Sequence, residues 1–92
     1  MISVKEFLTE SKMNRSQAIK AAQEFVKDAD RGIMDYGDEF DYMESLIRDM
    51  SVCSDKDIRI LACSAIEGAE QLNDFIETGE LFEGTLREIA KL

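Results

Sequence analysis

The side chains of this sequence that could do chemistry are almost all carboxylates. Its 92 residues include 20 Asp and Glu, 11 Lys and Arg and no His, which gives a formal net charge of −9 at pH 7. Carboxylates can transfer protons, bind metal ions or present a negative surface to a partner. Proton transfer requires burial that drives carboxylate pKa values apart, whereas these acids fall on predicted polar faces. We therefore expect no enzyme activity and no cofactor, and a function that depends on surface charge.

Many of the acids form two groups that contain no basic residue. The early acidic strip lies in the segment DYGDEFDYMES, residues 35–45, and the late acidic strip lies in residues 60–86, which contain no Lys or Arg. The early strip comprises Asp35, Asp38, Glu39, Asp41 and Glu44, and the late strip comprises Glu67, Glu70, Asp74, Glu77, Glu80 and Glu83. On one helix the first four acids of the late strip would form a row within about an 80° arc and about 15 Å long.

The one-sided charge of the two strips favours a binding role. Like charges three and four residues apart destabilise an isolated helix by a few tenths of a kcal/mol, so the pattern does not serve stability. A solvated face that keeps a small protein soluble is the common alternative, but such faces usually intersperse both signs. We predict that the strips occupy the positively charged groove of a partner, where each carboxylate meets a Lys or Arg in the position of a phosphate.

Other motifs do not indicate a metal site. The segment DADRGIMDYGDE, residues 28–39, has the length and the acidic ends of a calcium-binding EF-hand loop. However, Gly32 occupies a ligand position and Ile33 occupies the position of the turn glycine. Cys53 and Cys63 lie ten residues apart without a His or a CxxC pair, so a zinc site is not expected. We interpret Cys63 as a core residue and Cys53, beside a predicted helix cap, as partly exposed.

The sequence also limits the location and the partners of the protein. No apolar run approaches the roughly 18 residues of a membrane span, and the opening residues MISVKEF lack the basic start and apolar body of a signal peptide. Two cysteines outside a disulfide pattern fit reduced thiols in the cytosol. The negative charge disfavours contact with phosphate backbones and anionic lipid. We therefore expect a cytoplasmic protein that binds another protein, and neither nucleic acid nor a membrane directly.

The sequence predicts an all-α fold with a single domain, residues 1–92, of four to five helices. It contains no proline, and its five glycines fall at plausible breaks. The predicted helices cover about residues 4–11, 16–30, 35–50, 54–78 and 81–90. Asn14 or Ser16 would cap the second helix, Ser54 with Asp57 would cap the fourth, and Gly79 would end the fourth. The β-branched residues of the segment IRILACSAI leave one short strand as an alternative.

Apolar residues at spacings of three and four predict the buried face of each helix. The predicted core positions are Ala18, Ile19, Ala22, Phe25, Val26 and Ala29 in the second helix, Tyr36, Phe40, Met43, Ile47 and Met50 in the third, Ile58, Leu61, Ala62, Ala65, Ala69, Leu72 and Ile76 in the fourth, and Leu81, Phe82, Leu86 and Ile89 in the fifth. Tyr36, Phe40 and Met43 also offer a competing function, because Met and aromatic residues are common at protein interfaces. On that interpretation the chain is an all-α adaptor, or an anti-CRISPR or antitoxin-like inhibitor, that binds its partner through an apolar surface.

The chain resembles the small early proteins of T-even bacteriophages in four features. These are its size, the two acidic strips, the lack of catalytic residues and the opening segment MISVKEFLTES. Among these the chain is similar, over its whole length in size and charge, to the anti-restriction nuclease family, Arn. The resemblance implies an acidic homodimer that mimics double-stranded DNA and inhibits the modification-dependent restriction nuclease McrBC in the bacterial host cell. A nucleoid protein is a second host DNA-binding partner that fits the same mode. The resemblance implies a class and a partner type, and no site residue is carried over from it.

Overall fold

Four α-helices form the part of the chain that the computed structural model describes, residues 13–32 and 36–92. They are α1 (Arg15–Arg31), α2 (Tyr36–Met50), α3 (Lys56–Gln71) and α4 (Phe75–Ala90). The described residues contain no β-strand, and the segment IRILACSAI lies within α3. The prediction of an all-α fold is confirmed, and the predicted helix at residues 4–11 lies outside the described part of the chain.

Hydrogen bonds explain where α1 begins and ends. The Asn14 side-chain oxygen accepts a hydrogen bond from the Gln17 N–H at 2.8 Å, and the Gln17 side-chain oxygen accepts one from the Asn14 N–H at 3.0 Å. This reciprocal capping box satisfies donors that a first helical turn leaves free, and it confirms Asn14 rather than Ser16 as the cap. At the other end Gly32 has a left-handed backbone with φ 65°, which glycine adopts without steric cost.

α3 begins one residue later than a Ser54 cap would place it. Asp55 is the N-cap, and its carboxylate accepts the Ile58 N–H at 3.1 Å. Asp57 lies in the first turn, where its negative charge complements the positive end of the helix dipole. The Asp55 carboxylate also lies 3.3 Å from the Arg15 guanidinium. The cap therefore ties the start of α3 to the start of α1.

A break at residues 72–74 divides the single helix predicted for residues 54–78, so that prediction is wrong. α3 ends at Gln71, and Asp74 caps α4 by accepting the N–H groups of Ile76 at 2.8 Å and Glu77 at 3.3 Å. An Asp side chain that binds the backbone in this way competes with continuation of a helix. The prediction that Gly79 ends a helix is also wrong, since Gly79 lies buried inside α4.

The core lies where the four amphipathic helices converge. Its most buried residues are Ala18, Ala22 and Phe25 of α1, Met43, Leu46, Ile47 and Met50 of α2, Cys53 of the following loop, Ile58, Ala62 and Ala65 of α3, and Phe82, Leu86 and Ile89 of α4. Every described side chain at a predicted core position is buried or half-buried except Ile76, which is 59% exposed. The roles predicted for the two cysteines are reversed. Cys53 is buried, whereas Cys63 is half-buried with its thiol 3.6 Å from the Ser51 carbonyl oxygen.

Polar contacts hold α1 against α4, the helix on which it packs most extensively. Arg87 of α4 donates a hydrogen bond to Asp30 of α1 at 2.9 Å and lies 3.5 Å from Glu83 of its own helix. The hydrogen bond with Asp30 raises the pKa of Arg87, and the negative charges of Asp30 and Glu83 raise it further. Together these effects outweigh partial burial, which lowers the pKa. The Gln23 side chain also donates to the Ala90 carbonyl oxygen at 3.2 Å. These contacts fasten the C-terminal part of α4 along α1.

Candidate partner-binding surface

The early acidic strip lies on the N-terminal part of α2. Asp38 and Glu39 occupy its first turn, where negative charge stabilises the positive end of a helix. Asp41 is exposed and forms no ion pair with any other described residue. Glu44 is half-buried, and its carboxylate lies 3.9 Å from the Arg48 guanidinium one turn later. The strip therefore combines helix-stabilising acids with one that has no structural partner.

The late acidic strip is divided between two helices. Glu67 and Glu70 lie on α3, Asp74 lies in the connection, and Glu77, Glu80 and Glu83 lie on α4. The predicted single row of Glu67, Glu70, Asp74 and Glu77 is wrong, because the break at residues 72–74 separates its two halves. Glu67 and Glu70 remain a pair about 4.5 Å apart along the α3 axis. The Asp74 carboxylate is partly occupied, since it accepts backbone hydrogen bonds as a cap.

Helix packing brings the two strips to one cleft. α2, α3 and α4 enclose a cleft of about 230 Å³ that is lined by Glu44, Ile47, Arg48, Ile66, Ala69, Glu70, Thr78 and Phe82. Glu44 belongs to the early strip and Glu70 to the late strip, so acids from both strips border the same cleft. The Phe40 ring of α2 packs against the Phe75 ring of α4 with centroids 4.2 Å apart and an interplanar angle of 30°, which joins the N-terminal parts of these two helices.

The described acids of the two strips differ in what they contribute to the fold. Those with a structural role are Asp38, Glu39 and Glu77 in first turns, Asp74 as a cap, and Glu44 and Glu83 in ion pairs. Those without one are Asp41, Glu67, Glu70 and Glu80, which are exposed and pair with no cation in residues 13–32 and 36–92. Glu70 lies in the last turn of α3, where negative charge opposes the helix dipole and no basic side chain compensates for it. Asp35 lies outside the described residues.

Basic side chains are concentrated away from these acids. α1 carries four basic and three acidic residues, whereas α2 carries five acidic residues and one basic, and α4 four acidic residues and one basic. The basic residues of α2 and α4, Arg48 and Arg87, lie in the last turns and already contact carboxylates. The earlier turns of both helices, with the C-terminal half of α3, therefore present carboxylates without cations.

The apolar surface proposed for an adaptor lies largely inside the fold. Met43 is buried, and half-buried Phe40 packs on Phe75. The Tyr36 side chain lies outside the described part of the structure. Sequence reasoning missed another apolar pair, Phe75 and Ile76, which are 51% and 59% exposed in the first turn of α4. The signal that could have found them is the helix start marked by an Asp followed three residues later by Glu.

Residues 13–32 and 36–92 contain neither a metal-binding cluster nor a membrane-spanning helix. No group of three or more His, Cys, Asp or Glu side chains among them could hold a metal ion. Within the same residues, no helix has both the length and the apolar character needed to cross a bilayer.

The chain matches no family model, no curated protein and no solved structure at a significant level. What supports a function is therefore the charge and shape of its own surface.

Proposed function

We propose that this protein is a DNA-mimic inhibitor whose carboxylates occupy the DNA-binding groove of a host protein. The observation that carries the proposal is the set of exposed acids that form no ion pair with a described cation, Asp41, Glu67, Glu70 and Glu80. Glu67 and Glu70 also repel each other, and Glu70 weakens the end of α3. Solubility alone is achieved with interspersed charges of both signs. A surface kept at a cost to stability is better explained by a positively charged partner.

In the proposed complex each carboxylate meets a Lys or Arg that otherwise binds a phosphate. Glu67 and Glu70 lie about 4.5 Å apart along their helix, which is of the same order as the 3.4 Å step between phosphates of one DNA strand. Charge complementarity of this kind speeds association. It is screened over about 8 Å at physiological ionic strength, so inhibition should weaken as salt rises. The function needs no catalysis and no cofactor.

The proposed partner is a restriction nuclease such as McrBC, because the chain resembles the anti-restriction nuclease family of T-even bacteriophages in size and charge. A nucleoid protein presents the same groove chemistry and is the second candidate. The resemblance also supports a homodimer in the cytoplasm of the bacterial host. A dimer would extend the acidic surface along a longer stretch of groove.

A pull-down from bacterial lysate, with and without excess double-stranded DNA, tests the proposal. The protein serves as bait, and mass spectrometry identifies the proteins that DNA releases. We expect DNA to displace the captured proteins, and we expect them to be DNA-binding proteins such as McrBC or a nucleoid protein. Captured proteins that DNA does not displace would contradict mimicry and favour an apolar adaptor.

Matched charge variants make the test specific to the strips. The double variant Glu67→Gln/Glu70→Gln removes two uncompensated charges, and the control Glu24→Gln/Asp57→Asn removes two exposed charges outside the strips. Both change the net charge equally. In a DNA-cleavage assay with purified McrBC at low salt, we expect inhibition to weaken at least tenfold for the first and less than twofold for the control. Equal losses would mean that only net charge matters.

A further inference from the structure

One apolar patch lies within the acidic surface. Phe75 and Ile76 are adjacent in the first turn of α4 and are 51% and 59% exposed. The Phe75 ring stacks on the half-buried ring of Phe40 in α2, with centroids 4.2 Å apart. We call these three residues the apolar ridge. Among residues 13–32 and 36–92, the other large exposed apolar residues stand singly in the sequence at Val52, Ile60 and Leu92.

Acids lie next to the ridge residues in the sequence of both helices. Glu39 and Asp41 flank the ridge residue of α2, and Asp74 and Glu77 flank the ridge pair of α4. Because the aromatic contact holds these parts of α2 and α4 together, the segments that carry the early and late strips meet at the ridge. A partner that covers the ridge therefore comes close to acidic segments of two helices.

We propose that the apolar ridge is the anchor of the interface with the basic groove, and that Ile76 is its principal contact. This inference rests on the proposed DNA-mimic function. In protein–DNA complexes, phosphate contacts position the protein, whereas contacts to base edges and thymine methyl groups lie between the phosphate rows. A groove built for DNA thus has basic rims that meet the phosphates and, between them, side chains that read the bases, among which apolar ones contact thymine methyl groups. The acidic strips complement the rims, and the ridge complements the floor.

The charges around the ridge select its occupant. A second copy of this chain, whose net charge is −9, or an anionic lipid surface would approach Asp74 and Glu77 against a net repulsion, because like charges repel. A groove with basic rims instead gains from the same acids. Charges at the rim raise the association rate and are screened by salt, whereas a buried central anchor acts mainly on dissociation. The two parts of the interface therefore have separate kinetic signatures.

Binding kinetics with purified McrBC as the probe test the role of the ridge. Ile76→Ser is the informative variant, because Ile76 does not pack against the core, whereas Phe75 is stacked on another helix. Ile60→Ser is the matched control, since Ile60 is also a helical isoleucine and is 51% exposed. We expect Ile76→Ser to raise the dissociation rate at least tenfold with less than a twofold change in association. Ile60→Ser should change neither rate by more than twofold.

The charge variant Glu67→Gln/Glu70→Gln separates failure of this inference from failure of the mimic. It should slow association, and its defect should shrink at high salt, whereas the Ile76→Ser defect should persist. If the charge variant weakens binding and Ile76→Ser does not, the ridge inference is wrong and the mimic stands. If the unmodified protein does not bind McrBC at any salt concentration, the proposed function fails for this partner and the inference fails with it.

Sedimentation and circular dichroism complete the experiment. A dimer that is lost in Ile76→Ser and kept in Ile60→Ser would show that a second copy covers the ridge, which would overturn the inference. We expect the oligomeric state of the two variants to be the same. If serine lowers the helix content, Ile76→Thr, which keeps a branched side chain, replaces it and should give the same faster dissociation.

Discussion

Two acids at opposite ends of α3 test whether its charges serve the stability of the helix. Asp57 lies in the first turn and Glu70 in the last, and both are exposed. Asp57→Asn and Glu70→Gln each remove one negative charge, so both relieve to a similar extent the repulsion within a chain of net charge −9. Their effects on the helix dipole have opposite signs, with about 0.3–1 kcal/mol expected for each. Glu70→Gln also removes the repulsion with Glu67, which is about 0.2–0.5 kcal/mol.

The expected difference in unfolding free energy is therefore about 0.8–2.5 kcal/mol, with Glu70→Gln the more stable variant. In a domain of this size, 1 kcal/mol shifts the melting temperature by about 4–8 °C, so the two variants should melt at least about 3 °C apart. Thermal denaturation followed by circular dichroism measures the gap. The gap should shrink between about 0.01 M and about 1 M salt, as the Debye length falls from about 30 Å to about 3 Å. Equal shifts for the two variants would refute the argument, because overall repulsion would then outweigh the dipole.

Five further variants at four positions test other parts of the fold. Asp74→Ala should lower the unfolding free energy by about 1 kcal/mol through loss of the α4 cap, as measured by thermal denaturation. Asp74→Asn keeps the cap, so it should leave stability unchanged and weaken only partner binding in the cleavage assay. Gly84→Ala should raise the unfolding free energy by about 0.5–1 kcal/mol, because a Cβ there meets nothing within 4 Å. Gly68→Ala should raise the unfolding free energy by less in the same denaturation measurement, since its Cβ would lie 3.0 Å from a Leu81 methyl carbon. Arg87→Met should lower the unfolding free energy by about 0.5–1 kcal/mol, through loss of the ion pair with Asp30 that fastens α1 to α4 and of the ion pair with Glu83 within α4. The pKa of Arg87 is raised in the folded state, so its contribution to the unfolding free energy is present below the usual arginine range and is lost only in strong alkali. The stability that Arg87→Met loses, measured by denaturation, should therefore be constant from about pH 7 to about pH 10.

The helical class and most of the core were predictable because they depend on local patterns. The chain has no proline, and its apolar residues recur at helical spacing, so the buried faces follow from periodicity. The break after Gln71 was not predicted, because Leu72 and Ile76 continue the apolar period across it. At that point the capping bonds of Asp74 outweigh the period. The choice of Asp55 over Ser54 as a cap is also beyond a local pattern, since Asp55 contacts Arg15 across the fold.

The acids of the candidate surface were visible in the sequence, but their arrangement was not. Charge runs can be read directly, whereas the face on which each acid lies depends on where the helices end. The predicted helix at residues 54–78 extends past Gln71, where the helix ends. This one error placed Glu70 and Glu77 in a single row, although they lie on different helices. The meeting of Glu44 with Glu70 at one cleft depends on the packing of α2 against α3, for which no local pattern exists.

The acids of the two strips differ in how strongly they support mimicry. Asp38, Asp74 and the other acids in first turns and caps stabilise the helices that they begin. Helix stability therefore accounts for their negative charge without a binding partner. The acids without a structural role are the ones that need a partner to explain them, and Glu70 is the strongest of these because it opposes the dipole of its own helix. If the strips served only solubility, Glu70→Gln would raise stability and leave partner binding unchanged. A mimic requires Glu70→Gln to raise stability and weaken binding, whereas Asp57→Asn, which changes the net charge equally, should lower stability relative to Glu70→Gln and leave binding nearly unchanged.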